Sequence, residues 1–251
     1  MMFAHLSDPN AIVIIILAFL GGGLVKGLSG IGMPLAALPI LSFGFTVPQS
    51  VVLLTMPILI SNFWQALKTG GILNVFRRFW PMQITIAIIL LFTSQLMVVL
   101  NQDVLLLAAG IALLISVFLM GIGGKHSLPL HLERPVSIGV GVASGILGGV
   151  SSLFGMPVVL FLASLKVSKN EFITSIAVIY FFAALPYVVG LFYHGAMHVP
   201  DLITSSLAVI PAMVGLSVGR RLIRNVNDVV FRRILLTILV LMGISMILRG
   251  M

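Results

Sequence analysis

Eight stretches of the chain, residues 11–29, 48–67, 79–100, 103–124, 135–153, 170–193, 201–219 and 229–248, are each apolar over nearly the length a helix needs to cross a bilayer. A spanning helix takes about 20 residues at about 1.5 Å per residue. A soluble domain cannot bury that many such surfaces, and it carries roughly a quarter charged residues. Here only 8% are charged and 60% are hydrophobic. The sequence therefore predicts an all-α integral membrane protein, multi-pass in the lipid bilayer. It forms one membrane domain, because no segment is polar enough for a second, soluble one.

Two further apolar runs, 33–45 and 156–165, are too short to cross. They reach about 15–20 Å, against a hydrocarbon core of about 30 Å. Each follows a glycine-rich break, GLSGIGMP at 27–34 and GGVSSLFGMP at 148–157. Glycine and proline disfavour a helix interior, so each break ends one helix and starts another. The short runs are predicted to be half-helices or the return arms of re-entrant hairpins, in addition to about eight full spans.

The basic residues sort the connections. Lys68, Arg77 and Arg78 share one; Lys125 with Arg134, Lys166 with Lys169, and Arg220, Arg221, Arg224, Arg232 and Arg233 fall in later ones, and these make twelve of the fourteen. Connections such as NQD at 101–103 and YHGAMHVPD at 193–201 have none. The positive-inside rule assigns the basic connections to the cytoplasm and both termini to the outside. The first helix and its short partner must then together return the chain to the outside, as a hairpin or as a full crossing followed by a thin one. No Lys or Arg precedes Lys26, so a cleaved leader is not expected. The net charge of +8 lies in these topogenic clusters and does not suggest nucleic acid. A long helix, a break, a short arm and three more helices occur twice in opposite orientation, with Pro34 and Pro157 123 residues apart. This predicts an inverted-topology repeat, residues 1–125 and 126–251, as in many secondary transporters.

GGGLVKGLSGIGMP at 21–34, its echo SGILGGVSSLFGMP at 144–157, and the ending GLSVGRRLIRNVNDVVFRRILLTILVLMGISMIL at 215–248 resemble the TauE/SafE family of sulfite exporter-like anion permeases. The resemblance covers essentially the whole chain. Ser151, Ser152 and Phe154 stand where the family commonly has glycine. The resemblance implies a transporter of the cytoplasmic membrane for sulfite, organosulfonates or related small sulfur-containing anions, and no enzyme.

The breaks have a physical use. Unpaired backbone N–H groups inside a membrane are tolerated only where they line a cavity or are buried in protein. A half-helix starting there aims its positive dipole end at the break, which makes an anion site. Pro34 and Pro157 suit the first turn of such half-helices. The candidate substrate contacts are Ser29, Gly30, Gly32, Met33 and Pro34 in the first break, and Ser151, Ser152, Gly155, Met156 and Pro157 in the second. The alternative for the glycines is close helix packing. Lys26 is the only charged residue well inside a predicted span; it either complements an anion beside the first break or snorkels to the headgroups. Asn62, Gln65 and Tyr180 either contact substrate or bond a neighbouring helix.

Other functions find less support. GLSG at 27–30 matches the short pattern of rhomboid intramembrane proteases, with Ser29 as nucleophile. However, His5, His126, His131, His194 and His198 all fall in connections, so the general base is missing. An anion channel of the same architecture remains open. No Asp or Glu lies within a span, which argues against a cation carrier. The chain has no cysteine, its thirteen methionines are scattered, and His194 and His198 read as interfacial; no metal or cofactor is expected. Oligomeric state cannot be read from the sequence.

Overall fold

The computed structural model describes residues 8–122, 128–165, 167–222 and 228–251. His5, Lys125, His126, Lys166 and Arg224, and the proposed division between residues 125 and 126, lie outside these. Every regular element among the described residues is helical: α1 (Pro9–Ser29), α2 (Met33–Leu41), α3 (Val47–Thr69), α4 (Ile72–Thr93), α5 (Leu96–Val99), α6 (Gln102–Ile122), α7 (Glu133–Ser151), α8 (Gly155–Ser164), α9 (Lys169–Tyr193), α10 (Val199–Leu207), α11 (Val209–Leu222) and α12 (Asp228–Gly250). A 3-10 turn at Leu130–Leu132 leads into α7.

Seven stretches are long and apolar enough to cross a membrane: Pro9–Ser29, Val47–Thr69, Ile72–Val99, Gln102–Met120, Asn170–Tyr193, Val199–Leu222 and Arg233–Gly250. The remaining expected span, 135–153, coincides with α7. That helix has 19 residues, but Glu133, Arg134 and its many glycines and serines keep it outside the seven.

The two short runs are half-helices that turn back. Ile40 packs on Gly21 and Gly44 on Ile14, so α2 returns along α1. Leu128 N–H donates to Ser164 O at 3.0 Å, so α8 ends beside the lead-in to α7. In both pairs the short helix thus turns back toward the end from which the long one began.

Several arginines expected in connections lie in helices. The connection after α3 is only Gly70 and Gly71, whose φ of +72° and +74° reverse the chain within two residues. Helix α4 then resumes at Ile72 and kinks at Phe79 (φ −108°, ψ 17°), two residues before Pro81. The proline disrupts the turn preceding it, so Arg77 and Arg78 ride on a bent first segment. Arg134, Arg220, Arg221 and Arg233 are likewise helical.

Small residues set the packing, as they do where helices have no hydrophobic drive to associate. A β-carbon on Gly23 or Gly27 of α1 would fall 2.2 or 2.4 Å from the backbone oxygens of Ala212 and Leu216 in α11. Gly215 and Gly219 press just as closely on Leu20 O and Leu24 O. On the other side α7 meets α4 through Gly141, Gly145 and Gly149. Helix α3 packs on α9, with Phe63 and Phe181 5.3 Å apart, and α6 packs on α12. Pro57 in α3 leaves Leu53 O without its helical donor; Ser205 Oγ of α10 supplies one at 2.9 Å and accepts from Met56 N at 3.0 Å.

The two ends of the bundle differ in charge. At one end Arg78 pairs with Glu133 and Glu171, at 2.7 Å each, and ties α4, α7 and α9 together. At the other, Arg249 donates to Ser42 O and Ser42 Oγ at 2.7 and 2.8 Å and lies over the Phe43 ring.

Candidate functional site

The two breaks are closed by the same hydrogen bonds. In the first, Gly30 (φ +80°) ends α1 and its N–H donates to Lys26 O at 2.8 Å. In the second, Ser152 (φ +60°) ends α7 and donates to Gly148 O at 2.7 Å. Ser29 Oγ lies 2.8 Å from Val25 O and accepts from Ile31 N at 3.3 Å; Ser151 Oγ lies 2.6 Å from Leu147 O and accepts from Leu153 N at 3.2 Å. Paired in this way, the two breaks are 122 residues apart, one fewer than their prolines. Pro34 accordingly falls at the second residue of α2 and Pro157 at the third of α8. Both sit in a first turn, where a missing N–H costs nothing.

Helix α2 begins after Gly32, whose φ of +90° suits glycine, and α8 begins after Phe154. Neither residue caps its helix with a side-chain hydrogen bond. The starts of the two half-helices face one narrow cleft with a cavity volume of about 20 Å³. From the first break come Gly32, Met33 and Pro34, and from the second Ser152, Gly155 and Met156. Lys26, Asn62 and Tyr180 complete the predicted residues in its wall.

Lys26 is only 4% exposed, which excludes snorkelling. Its Nζ donates to Ser61 Oγ at 2.9 Å and to Asn62 Oδ1 at 2.5 Å, both on α3. Asn62 is itself oriented by Nδ2 donating to Ile58 O at 2.8 Å. No carboxylate pairs with Lys26 among the described residues. An ammonium has three donors, so one remains for a ligand. Tyr180 reaches the second break from α9, stacked edge-on against Phe154 at 5.3 Å. Its hydroxyl occupies the space where a side chain on Gly155 would begin, 1.7 Å from an added β-carbon.

Five predicted contacts stand outside the cleft wall: Ser29, Gly30, Gln65, Ser151 and Pro157. The Ser29 and Ser151 hydroxyls are engaged by backbone carbonyls at the breaks, so they act as caps and not as free donors. Gln65 Nε2 donates to Gly30 O at 3.4 Å and braces the first break from behind. The glycines divide by position: Gly23 and Gly27 serve packing, whereas Gly30 and Gly32 serve the turn. Ser61 escaped the sequence reading, although a Ser-Asn doublet in an apolar span was a usable signal. Among the described residues no histidine approaches Ser29; His194 Nε2, for instance, lies 3.2 Å from Leu91 O near the far end of α4. No group that could hold a metal occurs among them either.

A family model described as sulfite exporter TauE/SafE matches residues 14–246. No curated protein and no solved structure matches the chain.

Proposed function

The chain belongs to the sulfite exporter TauE/SafE family, and from that premise we propose that it exports sulfite or a related small sulfur-containing anion across the cytoplasmic membrane. It works as an alternating-access carrier, its two halves rocking about the cleft. The observation that carries this reading is the convergence of both breaks and Lys26 on one cavity. Two uncapped half-helix starts direct positive dipole ends and backbone donors at an anion. Lys26 adds a cation whose only described partners are neutral, so its charge is available to the ligand.

The pattern of helix pairs supports the inverted repeat. Helix α1 packs on α11 and α7 on α4, α3 packs on α9 and α6 on α12. Exchanging the halves turns each pair into another or into itself. The first hairpin opens toward the end that carries Arg249 and the second toward the end that carries Arg78, as oppositely oriented repeats require. The Arg78 end faces the cytoplasm and both termini face outward, by the charge rule.

Purified protein in liposomes tests the function. A carrier gives sulfite flux that saturates with concentration and is accelerated by sulfite on the opposite side. Flux that does not saturate, with unitary currents, would instead identify a channel of this architecture. No sulfite flux from a folded sample would withdraw sulfite as the substrate.

A further inference from the structure

A second cavity lies off the main cleft, between the C-terminal ends of α3 and α11. Its wall includes Trp64 and Lys68 from α3 and Ser217, Arg220 and Arg221 from α11. It is open and broad, with a volume of about 580 Å³. No acidic residue lines it, and no carboxylate among the described residues pairs with Lys68, Arg220 or Arg221. Basic residues at a membrane surface ordinarily spread into the headgroups. Here three of them border one concavity, with the Lys68 amine held 4.7 Å over the Trp64 ring.

This cavity adjoins the buried site. Leu216 and Arg220 line it and also press on Gly27, the neighbour of Lys26; a β-carbon on Gly27 would fall 2.4 Å from Leu216 O and 2.9 Å from Arg220 N. Along α3, Lys68 stands two turns beyond Ser61, which holds Lys26, a rise of about 10 Å. The cations thus form a graded series, from exposed Arg221 and Lys68 through half-buried Arg220 to buried Lys26. A concave, single-sign surface concentrates counter-ions in this way.

We infer that the Lys68–Arg220–Arg221 vestibule is a capture site for a small solute oxyanion, which it gathers at the basic end of the bundle and passes to Lys26. The inference rests on the anion-transport reading and adds a second site with a direction of loading. The same chemistry would suit the phosphate of an anionic lipid, so the test separates the two.

Trp64 in the vestibule wall is a built-in probe, since the chain has two tryptophans and Trp80→Phe leaves it alone. The full chain is reconstituted in phosphatidylcholine vesicles at low ionic strength, and Trp64 fluorescence is quenched by iodide and by neutral acrylamide. The expected result is strong iodide quenching that millimolar sulfite relieves. It falls several-fold in Lys68→Gln/Arg221→Gln and in Arg220→Gln, while acrylamide quenching is unchanged. In the transport assay the same variants raise KM for sulfite with Vmax preserved, and salt erases the difference by screening. Iodide quenching that neutralisation leaves unchanged, or that phosphatidylglycerol relieves and sulfite does not, overturns the inference. Because quenching needs no transport, failure of sulfite flux is read separately from failure of the vestibule.

Discussion

Replacing Lys26 by Met tests the buried site most directly, because it removes the charge while keeping an unbranched chain of similar length. On the proposed reading, the third donor of the ammonium serves the anion, beyond those given to Ser61 and Asn62. A hydrogen bond to a charged group contributes about 1.5–3 kcal/mol. At about 1.4 kcal/mol per tenfold, its loss raises KM for sulfite by about 10- to 150-fold. The cost to folding is smaller. Asn62 Nδ2 keeps its bond to Ile58 O, and hydrogen bonds between membrane helices average about 0.6 kcal/mol. The variant therefore remains folded at assay temperature, and thermal denaturation of the reconstituted sample verifies it. Flux is measured over a sulfite range wide enough to separate KM from Vmax. Lys26→Arg, which keeps the charge, recovers part of the affinity. A folded Lys26→Met protein with wild-type KM would refute the assignment of Lys26 to the anion.

Three further substitutions test the frame around the site. Ser152 is the one non-glycine residue with positive φ among the described residues, and left-handed backbone costs such a residue about 1–2 kcal/mol; Ser152→Gly should raise the thermal denaturation midpoint. Ser205→Ala removes the partner of Leu53 O and Met56 N beside Pro57, so it should destabilise by about 1–2 kcal/mol in a chemical-denaturation assay, with Ser205→Thr close to wild type. Gly27→Ala puts a methyl 2.4 Å from Leu216 O in a helix pair held by backbone contact. It should cost about 1–3 kcal/mol, read as a lowered denaturation midpoint.

What the sequence disclosed, and what it concealed, follows from the range of each interaction. The breaks were legible because glycine and proline act on their own backbone: Gly30, Gly32 and Pro34 stand where a chain that turns and restarts a helix needs them. Lys26 was legible because a charge in an apolar span stands out. Its partners depend on how α1 crosses α3, and nothing local in the sequence separates Ser61, which binds it, from Gln65, which braces Gly30. The glycines of α1 read alike in sequence and part only when α11 is placed against Gly23 and Gly27. Hydropathy placed Arg77 and Arg78 in a connection because it registers water-seeking side chains and not backbone; the turn was made by Gly70 and Gly71 alone.

The repeated hydrogen bonds also locate an asymmetry. The carbonyl that closes the first break belongs to Lys26 and the one that closes the second to Gly148. A cation could not be duplicated there, because a β-carbon on Gly148 would already lie 2.6 Å from Phe154 Cβ and 2.8 Å from the Leu90 side chain. The second break offers the cleft its backbone and Tyr180 and contributes no charge. On the proposed reading, an anion in the cleft is drawn toward the first break, where one positive charge faces it. A second cation in the same low-dielectric space would strengthen capture but oppose release, since electrostatic attraction grows as water is excluded. The proposed carrier must do both in every cycle, and pairing neutral helix ends with a single lysine would meet that requirement.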